Sequence, residues 1–230
     1  MLLLDAGDSL TGDQDPARKT QGQSSVEALN RLAYDALALG PADLALGVTA
    51  LRQRIGEAKF AVLSANAVIS ASGELIAKPY VVRAFGDYRV AIVGLSGGPG
   101  TAEIAVRDTL AAAQAIVPEA LRQAHAVIVL SHAGPDLDRR IADTVAGIAT
   151  IISGGASGLA GPWRSDKTGA IIYRADEASP GHAGRQLGVA RLTLDPQGRL
   201  SSQTWQRVSL GAEVADEPAL AAWVQEQMNR

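Results

Sequence analysis

Four short stretches hold the side chains that could do chemistry in this sequence. The first is Leu2-Leu3-Leu4-Asp5-Ala6-Gly7-Asp8-Ser9, where an apolar run ends at a carboxylate and a Gly-Asp pair opens a loop. A short buried strand delivering a carboxylate to the carboxyl end of a sheet is how open α/β sheets build their sites. The others are Gly40-Pro41-Ala42-Asp43, Ser131-His132 and Gly154-Gly155-Ala156-Ser157, each at the end of an apolar run. Asp8 and Asp43 supply carboxylates and His132 an imidazole at these strand ends. Gly154, Gly155 and Ser157 are candidates for binding an anion through a nest of backbone N–H groups.

Plainer readings stand beside these. His132, near Asp136 and Asp138, suits a hydrogen-bonded structural histidine, and Asp43 suits a solvated or helix-capping position. Asp5 reads as an acceptor that organises its loop, and His125 and His182 read as surface residues. A rival of another class is Gly94-Leu95-Ser96-Gly97-Gly98, which fits G-x-S-x-G between a strand and a helix. It would make Ser96 a hydrolase nucleophile with Asp138 and His182 as partners. The pattern is short in a glycine-rich chain, and it ranks last.

Alternating strands and helices must position these residues. Apolar runs at Leu2–Asp5, Tyr34–Leu39, Phe60–Ser64, Ala126–Leu130 and Ile148–Ile152 predict buried strands, and Pro79–Phe85 with Tyr88–Leu95 predicts a hairpin about Gly86-Asp87. Helices are expected from a Ser24–Glu27 capping box, over Gly47–Arg54, after Thr101 with a kink or split at Pro118, and from Pro135 to about Gly147. Strands over Ala170–Tyr173, Leu187–Leu194 and Leu200–Val208 follow, the last two joined by Pro196-Gln197-Gly198, and a final helix is capped by Asp216. This order predicts one α/β domain over residues 1–230 with mixed, sandwiched sheets, and no further substrate domain.

Composition narrows the function. The 230 residues carry a net charge of −3 with Lys and Arg scattered singly, which gives no footprint for nucleic acid or an anionic membrane. With no cysteine, disulfides, thiolate metal sites and cysteine nucleophiles are excluded. No apolar segment reaches the ~20 residues of a membrane span. Met1-Leu2-Leu3-Leu4 is too short for a signal-peptide core, and the compartment stays open.

In order and spacing the four stretches resemble the calcineurin-like metallophosphoesterases, above all the catalytic domain of the 5′-nucleotidase and 2′,3′-cyclic-nucleotide phosphodiesterase group. That family's landmarks are Asp-x-His, Leu-Leu-Asp-Ala-Gly-Asp, Gly-Asn-His-Glu-Phe-Asp-x-Gly, Leu-Ser-His and Gly-His-x-His. Lesser matches are Leu63-Ser64-Ala65-Asn66 and Arg185-Gln186-Leu187-Gly188. The resemblance implies two metal ions ~3.5–4 Å apart that clamp a phosphoester and activate water. It places Asp8 on the bridging carboxylate and His132 on the Leu-Ser-His ligand, which makes these two the candidate metal ligands, with Asp43 as a further carboxylate. Pro41 and Ala42 stand where the family has its Asn ligand and catalytic His, and Gly155 and Ser157 stand where it has two histidines. The Asp-x-His strand lies outside the chain, which predicts a fold without the family's first strand and an exposed sheet position for a partner chain or second copy.

The expectation is therefore a degenerate, catalytically impaired domain that binds a small phosphate-containing anion or another protein. No cofactor is expected, or at most a weakly held divalent ion such as Mn, Zn or Mg. The alternative is an active metal-dependent nucleotide hydrolase completed by an N-terminal segment or partner chain.

Overall fold

A computed structural model describes residues 1–11, 15–155, 161–175, 185–195 and 200–229. The chain runs through β1 (Leu4–Asp5), α1 (Asp15–Lys19), α2 (Gln23–Arg31), β2 (Ala36–Ala38), α3 (Pro41–Leu44), α4 (Gly47–Glu57), β3 (Ala61–Leu63) and β4 (Ala67–Ile69). It continues through β5 (Tyr80–Phe85), β6 (Tyr88–Leu95), β7 (Ile104–Val106), α5 (Thr109–Leu121), β8 (Ala126–Ser131), α6 (Pro135–Thr144) and β9 (Ile148–Ser153). The last elements are β10 (Trp163–Arg164), β11 (Ile171–Tyr173), β12 (Gln186–Leu194), β13 (Leu200–Ser209) and α7 (Pro218–Met228).

Two sheets form the centre. One is parallel, in the order β1-β2-β3; the other is mixed, in the order β10-β11-β9-β8-β6-β5, with antiparallel strands at both edges. β4 pairs with β7 and β12 with β13 as separate antiparallel ribbons. Side-chain alternation explains the layering. Ala36 and Ala38 turn inward to Ile92 and Leu130, joining the sheets face to face. Leu37 and Leu39 turn outward to Val26 and Leu29 of α2 and Leu51 of α4. Across the other sheet, Val93, Val127 and Val129 face Val117 of α5 and Ile141 of α6. The result is helices, sheet, sheet, helices, with strands apolar on both faces as buried parallel sheets require. The final helix docks on α2, where the Arg31 guanidinium lies 5.0 Å from the centre of the buried Trp223 ring.

The sheets touch most closely at Gly94 of β6. A Cβ there would lie 2.5 Å from the Cβ and the carbonyl oxygen of Leu63 in β3. Gly94→Ala is expected to cost about 3 kcal/mol by forcing the strands apart, read as a lower denaturant midpoint at unchanged slope.

Several expectations meet corrections. α2 begins after Gly22, and Ser24 sits inside it, its N–H donating to Thr20 Oγ1 at 3.2 Å. Thr101 closes a turn with Ile104 and leads into β7, so α5 is capped by Asp108, which accepts from the Ala111 N–H at 2.7 Å. That helix runs through Pro118 without splitting, held by buried Val117 and Ala120 on either side. Glu217 rather than Asp216 caps α7, accepting from Ala219 and Leu220. The Pro196-Gln197-Gly198 turn lies outside the described residues.

Candidate functional site

The carboxyl ends of β1, β2, β8 and β9 converge on one point. Asp5 ends β1 and organises the loop as expected, its Oδ1 accepting from the Gly7 N–H and its Oδ2 from the Ser9 hydroxyl, both at 2.8 Å. Burial raises the Asp5 pKa, and these two bonds oppose the shift. Gly7 has φ 108°, and a Cβ there would lie 2.9 Å from Ala38 O, Gly40 N and His132 Nδ1. Only glycine lets the three strand ends close this tightly. Asp8 follows in the left-handed region at φ 62°, which short polar side chains tolerate best.

Asp43 holds Asp8 in place. It is fully buried in the short helix α3. Its Oδ2 accepts from Asp8 N–H at 2.8 Å and from Gly40 N–H at 2.9 Å, and its Oδ1 from Leu10 N–H at 2.9 Å. The solvated reading of Asp43 is corrected: β2 ends directly beneath it and seals it from water. Burial pushes its carboxyl up to about 7, against the pull of the three N–H groups.

Asp8 meets His132 across the site. One Asp8 oxygen, Oδ1, accepts from the Ala42 N–H at 2.7 Å, and the other, Oδ2, lies 3.0 Å from His132 Nε2. The second ring nitrogen, Nδ1, lies 2.8 Å from the Ala6 carbonyl oxygen. A carbonyl can only accept, so Nδ1 carries a proton. When Nε2 is protonated as well, His132 is an imidazolium that pairs with the Asp8 carboxylate. Burial opposes charge on both groups, but their mutual bond and attraction prevail: the Asp8 pKa is lowered and the His132 pKa raised.

The ring of His132 rests on glycine backbone. A Cβ on Gly154 would lie 2.9 Å from Nδ1, and one on Gly155 would lie 3.1 Å from Nε2, at φ 78°. The Gly154 N–H donates to Ser131 O at 2.8 Å, and the buried Arg174 guanidinium donates to the carbonyls of Gly154 and Gly155. The third anion candidate, Ser157, lies outside the described residues.

Two buried polar groups frame the site from behind. Asp138, in the first turn of α6, accepts from the hydroxyls of Ser131 and Ser153, both at 2.5 Å, and burial pushes it up to about 6. The role of Asp138 as a tie between β8, β9 and α6 was missed in the sequence, where its one signal is a carboxylate just after the Gly134-Pro135 helix start. Ser96 is fully buried, donates to Leu39 O at 2.6 Å and sits 2.9 Å from Ser64 Oγ. Asn66 joins it to α5 through Thr109. Ser96 has no histidine partner among the described residues, and His182 lies outside them. His125 stacks on Tyr88 at 4.7 Å, and its Nδ1 accepts from the Arg89 N–H.

Both Asp8 oxygens and both His132 nitrogens have partners within the protein, and Asp43 accepts from three N–H groups. Among the described residues no three His, Cys, Asp or Glu side chains form a group that could hold a metal.

No family model matches the chain. It is 28% identical over 249 residues to a 5′-nucleotidase of Homo sapiens, covering 96% of this chain and 43% of that protein. The chain thus spans less than half the length of this curated relative. Among solved structures, the 5′-nucleotidase precursor of Thermus thermophilus superposes with a TM-score of 0.84 at 27% identity, covering 99% of this chain and 50% of that one. The calcineurin-like phosphoesterase YfkN of Bacillus subtilis matches in fold, with a TM-score of 0.83 at 20% identity, covering 99% and 83%.

Proposed function

We propose that this chain, a member of the 5′-nucleotidase group of metallophosphoesterases, has exchanged metal coordination at its site for an internal ion pair. The observation that carries this reading is the doubly bonded His132 ring, clamped between the Ala6 carbonyl and Asp8. To ligate a metal, an imidazole must give up a proton, and here that would break the bond to one of its two acceptors.

Magnitudes point the same way. Phosphate-monoester hydrolysis needs accelerations of up to ~10²¹, whereas one general acid or base supplies roughly 10²–10⁴. Asp8 and His132 alone leave nearly all of that gap open. Pro41 and Ala42 bring no side-chain ligand to α3, and Gly155 leaves room only for the His132 ring. Asp43 acts as a brace for the Asp8 loop. The function left to the domain is binding, either of a small phosphate-containing anion beside Gly154, Gly155 and Ser157 or of another protein. No helix among the described residues is long and apolar enough to cross a membrane.

The test is the metal content of the purified chain and its turnover of an aryl phosphate with excess Mn²⁺. The expected result is substoichiometric metal, turnover at the no-enzyme background and an unchanged melting temperature in chelator. Two bound ions per chain with robust turnover would reverse the assignment in favour of an active hydrolase.

A further inference from the structure

We propose that the groove between the edge strands β3 and β5 binds a small amphipathic anion, an apolar body carrying a negative head group. β3 is in a ladder only with β2, and β5 only with β6, so each ends its sheet. Residues of both strands line a groove of about 330 Å³, together with Ile55 from the last turn of α4. That volume lies at the lower end of the range for small-molecule sites.

The groove is tied across at both ends. At one end Leu63 of β3 bridges to Lys78, whose carbonyl accepts from the Ser64 N–H at 2.9 Å. At the other, Arg83 of β5 donates to the Asp35 carbonyl at 3.2 Å, the same oxygen that accepts from the Ala61 N–H at 3.1 Å. β3 itself has three residues, about 10 Å of strand. An added peptide strand therefore has no continuous edge to follow, and the occupant is a short molecule.

Its chemistry follows from the lining. Ile55 and Val81 are half-buried, and Phe60 and Val62 nearly fully so, which leaves apolar surface for a hydrocarbon body to cover. Three cations, Lys59, Lys78 and Arg83, line the same groove, and no Asp or Glu does. The Asp35 carboxylate, 4.0 Å from Arg83 Nε, offsets part of that charge. Lys59 and Lys78 form no ion pair among the described residues, so their charge is left to a ligand of opposite sign. The Ala61 N–H faces β2, so alternation turns the Val62 N–H to the groove side as a further donor. None of these residues belongs to the Asp8–His132 cluster, and the inference stands independently of the metal chemistry.

The test is an NMR titration of the full chain with octanoate at low ionic strength, read at the Val62 and Val81 amides. Saturating shifts are expected, half-complete at about 1 mM or below. Octanol, with the same apolar body and no charge, should bind about fivefold more weakly. The Lys59→Gln/Lys78→Gln double variant should lose affinity for octanoate by about the same factor, with the parent's urea midpoint showing its fold intact. The proposal fails if the two signals do not saturate by about 10 mM octanoate, or if octanol or the double variant matches the parent with octanoate. It fails equally if a short acidic peptide shifts the same amides at lower concentration, because a protein segment would then be the occupant.

Discussion

Asp43→Ala is expected to lower the unfolding free energy by about 4 kcal/mol and the melting temperature by roughly 10 °C. The substitution strips the N–H groups of Asp8, Gly40 and Leu10 of their acceptor at once, and a buried group left unpaired costs about 1–3 kcal/mol. For a chain of this length each kcal/mol corresponds to about 2–4 °C. Damage should spread to the site, because the Asp43 carboxylate is what accepts from the backbone of Asp8 in its left-handed conformation. Urea denaturation measures the first effect, and loss of the downfield His132 ring N–H signals measures the second. A variant as stable as the parent would mean that Asp43 is not a brace.

Stability is expected to fall as pH rises from about 4 to 8, the reverse of ordinary acid denaturation. Burial raises three carboxyls from 3.8: Asp43 to about 7, Asp138 to about 6, and Asp5 in the same direction. Between 3.8 and those values the folded chain holds protons that the unfolded chain has released, so unfolding becomes easier with rising pH. Moving a carboxyl from 3.8 to about 7 corresponds to about 4 kcal/mol, and from 3.8 to about 6 to about 3 kcal/mol. The raised His132 adds in the same direction above 6.5, since its stabilisation is lost as pH passes its folded value. Asp8 opposes them, but its lowered value means that its contribution is complete once pH exceeds about 4. Against a total of 5–15 kcal/mol such losses are large. The measurement is the urea midpoint across this pH range, repeated for Asp43→Asn, whose slope should shrink by about half. A midpoint that is flat or climbs from pH 5 to 8 contradicts the assignment.

Much of this architecture was readable from residue order. β6, β8 and β9 announce themselves as long apolar runs because both faces are buried, and Gly86-Asp87 marks its hairpin without ambiguity. The gathering of Asp8 and His132 followed from the sequence of landmarks rather than from any local pattern. Three strands, β4, β7 and β10, escaped notice because two or three residues are too few to show a period. Asp43 escaped for another reason. Its bond to Gly40 is local, but its other two donors are 33 and 35 positions away, and nothing nearby distinguishes a sealed carboxylate from a solvated one. The hydrogen bond that orients the His132 ring was equally hidden, since its partner is a carbonyl 126 positions upstream.

That separation also bears on how the molecule is made. A polypeptide emerging from the ribosome presents Ala6 and Asp8 early, yet neither can find the imidazole until more than a hundred further residues have been synthesised. Contacts of such long range close late, after the intervening crossovers have packed. The strand-end cluster is thus expected to close late in folding.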